Sequence, residues 1–406
     1  MRILLLSQYF WPENFLINDV VAGLVERGHE VLVYTGLPNY PAGRYFDGYG
    51  ASGPFRQQYR GAQVRRVPLV PRGGGGALRL VLNYLSFAGL ATLLAPVVAR
   101  GRFDVILVYE PSPMTIGIPA RALRVLERAP LAFWVQDLWP ESLSATGSVR
   151  NRAILRLVEA LIRWIYRGCD LVLVQSEAFI PSVEAHGVPR GRIRYLPNSA
   201  DALYRRVPAA ADDAEASELP RGFRLMYAGN IGAAQDFPTI LAAAERLRAR
   251  EDIQWIVLGD GRMRPWVEEE VRRRGLAATF HLLGARAPER MPRYFAHADV
   301  LLATLRREPI FAYTIPSKIQ SYIACGRPVI AALEGEGGRI IRDARAGWVV
   351  PPEDPKALAD AVLAARALAR PELDAMGSRG EAWFREHFER EKLLSRLESF
   401  LSEMSK

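Results

Sequence analysis

Polar side chains and glycines recur in this chain at one kind of place, the end of a short apolar run. The stretch Tyr227-Ala-Gly-Asn-Ile-Gly-Ala-Ala-Gln-Asp ends such a run and precedes a helix expected near Phe237. Gly229 and Gly232 would let the backbone approach a phosphate, and the helix N-terminus would add N–H donors and partial positive charge. A tight packing turn would use the same residues. In Ile315-Pro-Ser-Lys-Ile-Gln-Ser-Tyr, a helix closing at Gly326 places Lys318 in its first turn. A cation there opposes the helix dipole and asks for a compensating anion, such as a diphosphate, unless the lysine is simply solvated. In Phe133-Trp-Val-Gln-Asp-Leu-Trp-Pro-Glu-Ser the run ends in Gln136, Asp137 and Glu141, and Tyr109-Glu-Pro-Ser-Pro offers Glu110 in the same way. Carboxylates so placed can bind sugar hydroxyls or steady a cationic transition state, although Asp137 is also a candidate helix cap.

Other chemistries find no residues. The five histidines, at 29, 186, 281, 297 and 387, never fall at metal-ligand spacing, and no Asp-x-Asp pair is present to hold a divalent ion on a diphosphate, so no metal and no cofactor is expected. Neither a Gly-x-Ser-x-Gly elbow nor a Walker loop occurs. The first strand runs into Ser7-Gln8-Tyr9-Phe10 without Gly-x-Gly-x-x-Gly, which argues against a nicotinamide-dependent oxidoreductase. Cys169 and Cys325 are far apart in apolar surroundings, the pattern of a reduced compartment.

The elements that must position these residues follow one grammar. Apolar β-rich runs at Arg2–Ser7, Glu30–Thr35, Asp104–Tyr109, Pro130–Gln136, Asp170–Gln175 and Arg192–Pro197 alternate with helical stretches. Continuous apolar runs of that length suit parallel strands covered on both faces. The same pattern restarts with Phe223–Ala228, Gln254–Leu258, Thr279–Leu283, Asp299–Ala303, Pro328–Ala332 and Trp348–Val350. At 406 residues the chain is long enough for two domains. The expected class is therefore α/β, with doubly wound parallel-sheet domains at 1–200 and 223–380, a linker at 201–222 and a final helix at 381–406 that covers the first domain. That helix is expected to run unbroken from Ala382 to Ser402. The opening Met-Arg-Ile-Leu-Leu-Leu-Ser reads as a strand rather than a signal peptide.

Charge separates the two halves. Residues 1–200 hold 22 Lys and Arg against 14 Asp and Glu, and the remainder holds 31 against 30, so the first half is the part that should meet an anion. No zinc-finger spacing, RNP-like strand or long basic run supports nucleic acid, which leaves an anionic membrane surface. Leu80–Ala99 carries no formal charge and lies between Arg65, Arg66, Arg72, Arg79 and Arg100, Arg102. It suits a helix partly inserted in the membrane interface, with a buried helix or a full span as alternatives. Arg152–Arg167 is a second basic amphipathic stretch.

At these motifs the sequence resembles glycosyltransferase family 4 of the two-Rossmann-domain (GT-B) class, along nearly its whole length. It is most similar to the bacterial surface-polysaccharide branch typified by N-acetyl-L-fucosamine transferases. The stretches that carry the resemblance include Ser7-Gln-Tyr-Phe-Trp-Pro-Glu-Asn, Pro38-Asn-Tyr-Pro, Pro111-Ser-Pro-Met-Thr, Trp134-Val-Gln-Asp-Leu-Trp-Pro-Glu-Ser, Gly229-Asn-Ile-Gly and Pro316-Ser-Lys-Ile-Gln-Ser-Tyr. The resemblance implies two Rossmann-like domains facing across a cleft and a retaining, metal-independent transfer. The donor would be a UDP-sugar, with an N-acetylated or deoxy amino sugar expected, and the acceptor a polyprenyl-diphosphate-linked saccharide at the inner face of the plasma membrane. Asn230 and Gln235 stand where the family has an Arg and a Lys, Tyr313 and Ser321 where it has paired glutamates, and Gln136 where it has a histidine. The implied donor site is Gly229, Asn230, Gly232, Gln235, Gly284, Ser317, Lys318, Ser321 and Glu336. Asp137, Glu110 and Lys318 would be catalytic, and Glu13, Asn14, Asn39 and Gln136 would meet the acceptor. A UDP-sugar 2-epimerase and a non-catalytic nucleotide-sugar binder remain the rival readings.

Overall fold

The computed structural model describes residues 1–74, 76–145, 151–210 and 212–405. The chain divides into two compact units, Met1–Asn198 with Leu393–Lys406, and Ser199–Lys392. The first is built on eight strands, β1 (Arg2–Leu6), β2 (Glu30–Gly36), β3 (Arg56–Tyr59), β4 (Ala62–Val67), β5 (Val105–Glu110), β6 (Leu131–Val135), β7 (Leu171–Val174) and β8 (Ile193–Tyr195). They lie in the order β3-β4-β2-β1-β5-β6-β7-β8, and among the described residues all are parallel except β3. Every residue of β5 and β6 is buried, as expected of strands covered on both faces. The strand order reverses between β1 and β5, so the polar residues that follow those strands open onto a switch point.

The β3–β4 hairpin is not legible as apolar periodicity, because Arg56, Gln57, Gln58, Gln63, Arg65 and Arg66 interrupt it. Its signal is the two-residue loop Arg60-Gly61, both at positive φ (43° and 88°), which is the backbone shape a tight hairpin requires. Ala62, Val64 and Val67 point inward, and Arg66 is buried with them because its guanidinium reaches the carbonyls of Gly36 and Trp11 and the amide oxygen of Gln57.

The uncharged stretch forms the helix Ala77–Val98. Asn83, Phe87, Ala88, Ala91 and Ala95 recur at helical spacing and are buried on the sheet, and Asn83 bonds Gln8, Asn39 and the Val70 carbonyl. A full membrane span is incompatible with that packing. The opposite face leaves Leu78, Val81, Leu82, Leu85, Leu93 and Val97 exposed, so the helix is not a plain core helix either.

The second unit carries β9 (Phe223–Ala228), β10 (Ile253–Leu258), β11 (Phe280–Gly284), β12 (Val300–Thr304), β13 (Val329–Ala332) and β14 (Gly347–Val350), parallel and in the order β11-β10-β9-β12-β13-β14. Successive strand residues alternate between two apolar layers: Leu225, Tyr227, Trp255 and Val257 join one, Met226, Ala228, Ile256 and Leu258 the other. The stretch 201–222, expected as a linker, is packed on this unit instead. Leu219 enters the core, Tyr204 stacks on Phe295, and Glu215 and Glu218 pair with Arg290 and Arg286. Ala211, within that stretch, lies outside the described residues, as does Gly75.

The unbroken helix expected at Ala382–Ser402 is two helices, Arg370–His387 and Arg390–Met404. Its apolar residues therefore serve two cores. Trp383, Phe384 and Phe388 pack in the second unit, and Leu393, Leu394, Leu397 and Leu401 in the first. There Glu398 pairs with Arg27 and His29, and Arg396 reaches the Tyr195 carbonyl. Leu397→Ala should cost about 2–4 kcal/mol of first-unit stability, the usual cost of a core truncation. Amide hydrogen exchange checks this: protection should fall in β1, β2 and β5 and stay unchanged in β9 and β10.

Candidate functional site

In the second unit, β9 and β12 pair only at their beginnings, Leu225 with Val300 and Met226 with Leu301. Their carboxyl ends diverge, and the backbone groups that a ladder would have paired are taken by one side chain. The Tyr322 hydroxyl accepts from the Ala228 N–H and donates to the Ala228 carbonyl. A cavity of about 540 Å³ opens at this switch point. Gly229, Asn230 and Gln235 line it from the turn after β9, and Ser317, Lys318, Ser321 and Tyr322 from the helix Ser317–Ala324. Ala285, Arg286, Met291, Phe295 and Tyr204 form a more apolar end.

Two glycines shape the turn. Gly229 has φ 135°, and a Cβ there would lie 2.6 Å from Cε of Lys318. Gly259, at the end of β10, has φ 156°, and its Cβ would collide with the Gly229 carbonyl at 1.8 Å. A side chain at Gly229 would displace the end of Lys318 and strain the turn, and one at Gly259 would force the two turns apart.

Lys318 is half-buried. Its ammonium lies 4.1 Å from the centre of the Tyr227 ring and donates to the Tyr227 hydroxyl, which itself donates to the Asn230 carbonyl. Burial lowers its pKa from 10.5 to about 8. Arg286, another cation lining the cavity, is forked onto Glu218 and the Leu283 carbonyl, and Asp260 pairs with Arg264. Among the described lining residues, Lys318 is thus the cation without a carboxylate partner. Asn230 and Gln235 bond each other at 3.4 Å and supply amides, not charge.

Not every expected donor residue lines this cavity. Gly232 lies behind it, packed against the side chains of Asn230 and Gln235. Gly284 stands one residue before the lining Ala285, and Tyr313 is outside. Glu336 is buried, and both its oxygens accept from Arg339. Gly259, Tyr227, Tyr322 and Arg286 were not anticipated. Only Gly259, in the strand-end sequence Leu258-Gly-Asp-Gly, carried a readable signal.

In the first unit a layer of buried polar side chains follows the strand ends. Side-chain atoms of Gln8, Glu110, Thr115, Gln136 and Glu141 are buried there without a hydrogen-bond partner, whereas such atoms are normally satisfied. Asp137 is half-exposed and accepts from Trp139 Nε1 and Ser142 Oγ. Burial raises its pKa, and those donors oppose the rise. Glu110 is fully buried. Burial and then the Asp137 charge raise its pKa well above the ordinary carboxylate value, with the amides of Asp137 and Gln136 opposing, so its neutral form is favoured. Glu110 therefore lies beneath the strand-end surface, where the expected catalytic role would require a contact that its burial does not offer in this state. Ser112, just beyond β5, has φ 115°, a strained conformation for a non-glycine residue.

The expected acceptor residues divide likewise. Glu13 is buried and accepts from the amides of Phe10, Asn39 and Tyr40, and burial raises its pKa to about 7. Asn39 is fully buried and bonded to Leu37, Arg72 and Asn83. Both hold loops in place through these bonds and are buried. Asn14 is exposed, and Gln136 keeps a buried Nε2 without a partner while its Oε1 accepts from Asn198.

Comparison with known proteins agrees with this architecture. The family described as glycosyl transferase 4-like domain matches residues 16–199, and that described as glycosyl transferases group 1 matches residues 222–367. The Escherichia coli (strain K12) protein WcaI, whose name places it in glycosyl transfer for colanic acid biosynthesis, is 26% identical over 346 residues, covering 82% of this chain and 84% of that one. The Pseudomonas aeruginosa protein WbjE, named as a glycosyltransferase, is 30% identical over 237 residues, or 55% and 57% of the two chains. The crystal structure of Anabaena HepE in complex with UDP superposes with a TM-score of 0.72 at 18% identity, covering 99% of this chain and 100% of that one. The chain belongs to the family-4-like glycosyltransferases and has the GT-B fold.

The buried ammonium gives a pH signature. Lys318 titrates at about 8 when folded and 10.5 when unfolded. Between those values the unfolded chain binds the extra proton, so stability should rise with pH across that window. For the ligand-free protein the gain should be on the order of 1 kcal/mol, less than an unscreened shift would give. Lys318→Met should remove it, as thermal or urea unfolding at pH 7.5 and 10 would check.

Proposed function

We propose that the chain is a retaining, metal-independent glycosyltransferase that moves a sugar from a UDP-sugar to a saccharide carried on polyprenyl diphosphate, in surface polysaccharide synthesis. The observation that carries this reading is the Lys318 ammonium, without a carboxylate partner, laid on the Gly229 turn in a cavity of nucleotide size. A diphosphate there would accept from Lys318 and from the backbone of a turn stripped of side chains. The apolar end around Phe295 and Met291 suits a base and ribose. The UDP named for the HepE structure and the colanic acid role named for WcaI support the donor and the pathway type.

In the transfer, the bond from the anomeric carbon to the diphosphate oxygen lengthens as charge builds on both partners. Lys318 offsets the negative charge on the leaving diphosphate. The acceptor hydroxyl forms the new bond from the face the diphosphate leaves, and a phosphate oxygen takes its proton. Asp137, which is half-exposed, is suited to orienting acceptor hydroxyls, and a neutral form of Glu110 beneath it, which burial favours, would keep a second negative charge out of the layer. The Oε1 of Gln8 and the Nε2 of Gln136, each without a partner, are suited to sugar hydroxyls. An N-acetylated or deoxy amino sugar is the expected cargo.

A membrane location is part of the same proposal. Eleven of the thirteen exposed large apolar side chains among the described residues lie on the helices Ala77–Val98, Gly117–Glu127 and Arg152–Arg167 of the first unit. These helices share an apolar groove of about 530 Å³ lined by Ala95, Pro96, Ile118, Val125, Leu126 and Trp164. An apolar face of that extent flanked by arginines suits the inner surface of the plasma membrane, where a lipid-linked acceptor resides.

The test is transfer from a panel of UDP-sugars to lipid-linked acceptors, with anomeric configuration read by NMR. Asp137→Asn should lower turnover by about 100-fold or more with UDP-sugar affinity held within about threefold. Glu110→Gln, which mimics the neutral acid, should keep turnover within about threefold. Lys318→Met should weaken UDP binding by about 10- to 100-fold, as expected for a lost charge-assisted contact. Isomerisation of the donor alone would mark an epimerase instead, and binding without transfer a non-catalytic binder.

A further inference from the structure

The first unit has a second cavity, of about 570 Å³, along β2, β4 and the last turn of the helix Ala77–Val98. Arg2 and Glu30, the first residues of β1 and β2, lie at its rim, whereas Asp137 follows the carboxyl end of β6. Its wall is apolar on one side, from Leu94, Val97 and Val98 of the helix Ala77–Val98 together with Phe55 and Phe103. Val97 also belongs to the exposed apolar face of that helix, so the cavity opens beside it.

The other side is cationic beyond what its carboxylates offset. Arg2 pairs with Glu30, and Arg66 is occupied by Gln57 and two carbonyls. Arg56 and Arg65 remain, with Arg65 reaching the Gln63 side-chain oxygen, and Arg100 lies near the Glu127 carboxylate, which is not part of the lining. Arg56 and Arg65 are direct cross-strand partners in the β3–β4 hairpin, so their side chains leave the same face of the ribbon. Like charges at that position destabilise a hairpin unless an anion lies between them. A strand pair that sets two arginines opposite each other at the mouth of a half-apolar cavity is built for an anion with an apolar tail.

We propose that this cavity binds the headgroup of an anionic phospholipid, its phosphate between Arg56, Arg65 and Arg100 and the start of its acyl chains along Leu94, Val97 and Phe103. The site would hold the first unit at the membrane by the β3–β4 edge of its sheet, leaving the strand ends that carry Asp137 and Gln136 to the acceptor. It rests on the reading that the apolar face of the helix Ala77–Val98 lies on a membrane.

Vesicle flotation of the full chain tests it, with phosphatidylcholine alone and with added phosphatidylglycerol. Wild-type protein should bind the phosphatidylglycerol vesicles about tenfold more tightly, and Arg56→Thr/Arg65→Thr should lose most of that preference. Arg190→Glu/Arg192→Glu, at the far sheet edge, should keep it within about threefold. Arg56→Thr alone should raise the melting temperature of the lipid-free protein by about 1–2 °C by relieving the cross-strand repulsion, which also shows that the variant is folded. Equal loss in both double variants would mean diffuse attraction and overturn the site. So would full retention in the hairpin variant; if Leu82→Glu/Leu85→Glu still abolished binding, the membrane reading would stand without the pocket. Absence of wild-type binding to either vesicle would overturn both. If inorganic phosphate alone stabilised wild type but not the hairpin variant as much as vesicles do, the ligand would be a soluble phosphate and the lipid assignment would fall.

Discussion

The chemistry of the second unit turns on one buried ammonium held against a backbone turn that has no side chains to keep it away. Lys318 can lie on Tyr227 and Gly229 only because β9 and β12 part after two paired residues, because Tyr322 satisfies the backbone that this exposes, and because Gly259 lets the neighbouring turn approach the Gly229 carbonyl. Without a ligand this arrangement costs stability, since a half-desolvated cation is bonded only to a phenol. An anion arriving at the cavity recovers that cost as affinity. A preorganised charge in a partly dry site is worth more to a developing diphosphate than the same charge in water.

The first unit answers the same demand with the opposite sign. Its strand ends carry two close carboxyl groups, and in the fully buried one, Glu110, burial and its neighbour's charge raise the pKa and favour the neutral form. One exposed charge and a layer of incompletely bonded amides remain. That pattern can hold hydroxyl groups without the repulsion that two carboxylates would bring. Glu13 and Asn39 belong to the scaffold under this layer, tying the loops after β1 and β2 to each other through backbone amides.

Much of this was legible in the residues alone. Among the described residues, twelve of the fourteen strands announce themselves as apolar runs because buried parallel strands have no polar face, and Lys318, Gly229 and Asp137 are readable as strand-end or helix-start residues. The β3–β4 hairpin escaped because its inward face is shared with a buried arginine, so hydrophobic alternation breaks down where side chain to carbonyl bonds replace apolar contact. The stretch 201–222 looked like a linker because its attachment to the second unit runs through ion pairs with Arg286 and Arg290, which sequence distance hides. The final helix was read as one because helical spacing continues across Phe388, although the apolar residues on either side serve different cores. Glu110, Glu13 and Asn39 were assigned to ligands because a sequence shows residue type and strand end but not burial.

Crystallography of the chain with UDP bears most directly on the account. Density for the diphosphate should lie in the second unit's cavity, with a phosphate oxygen at about 2.7–2.9 Å from the Lys318 Nζ and others against the backbone of the Gly229 turn. A diphosphate bound elsewhere, or bound in this cavity with Lys318 still turned onto Tyr227 and no phosphate oxygen in reach, would contradict it.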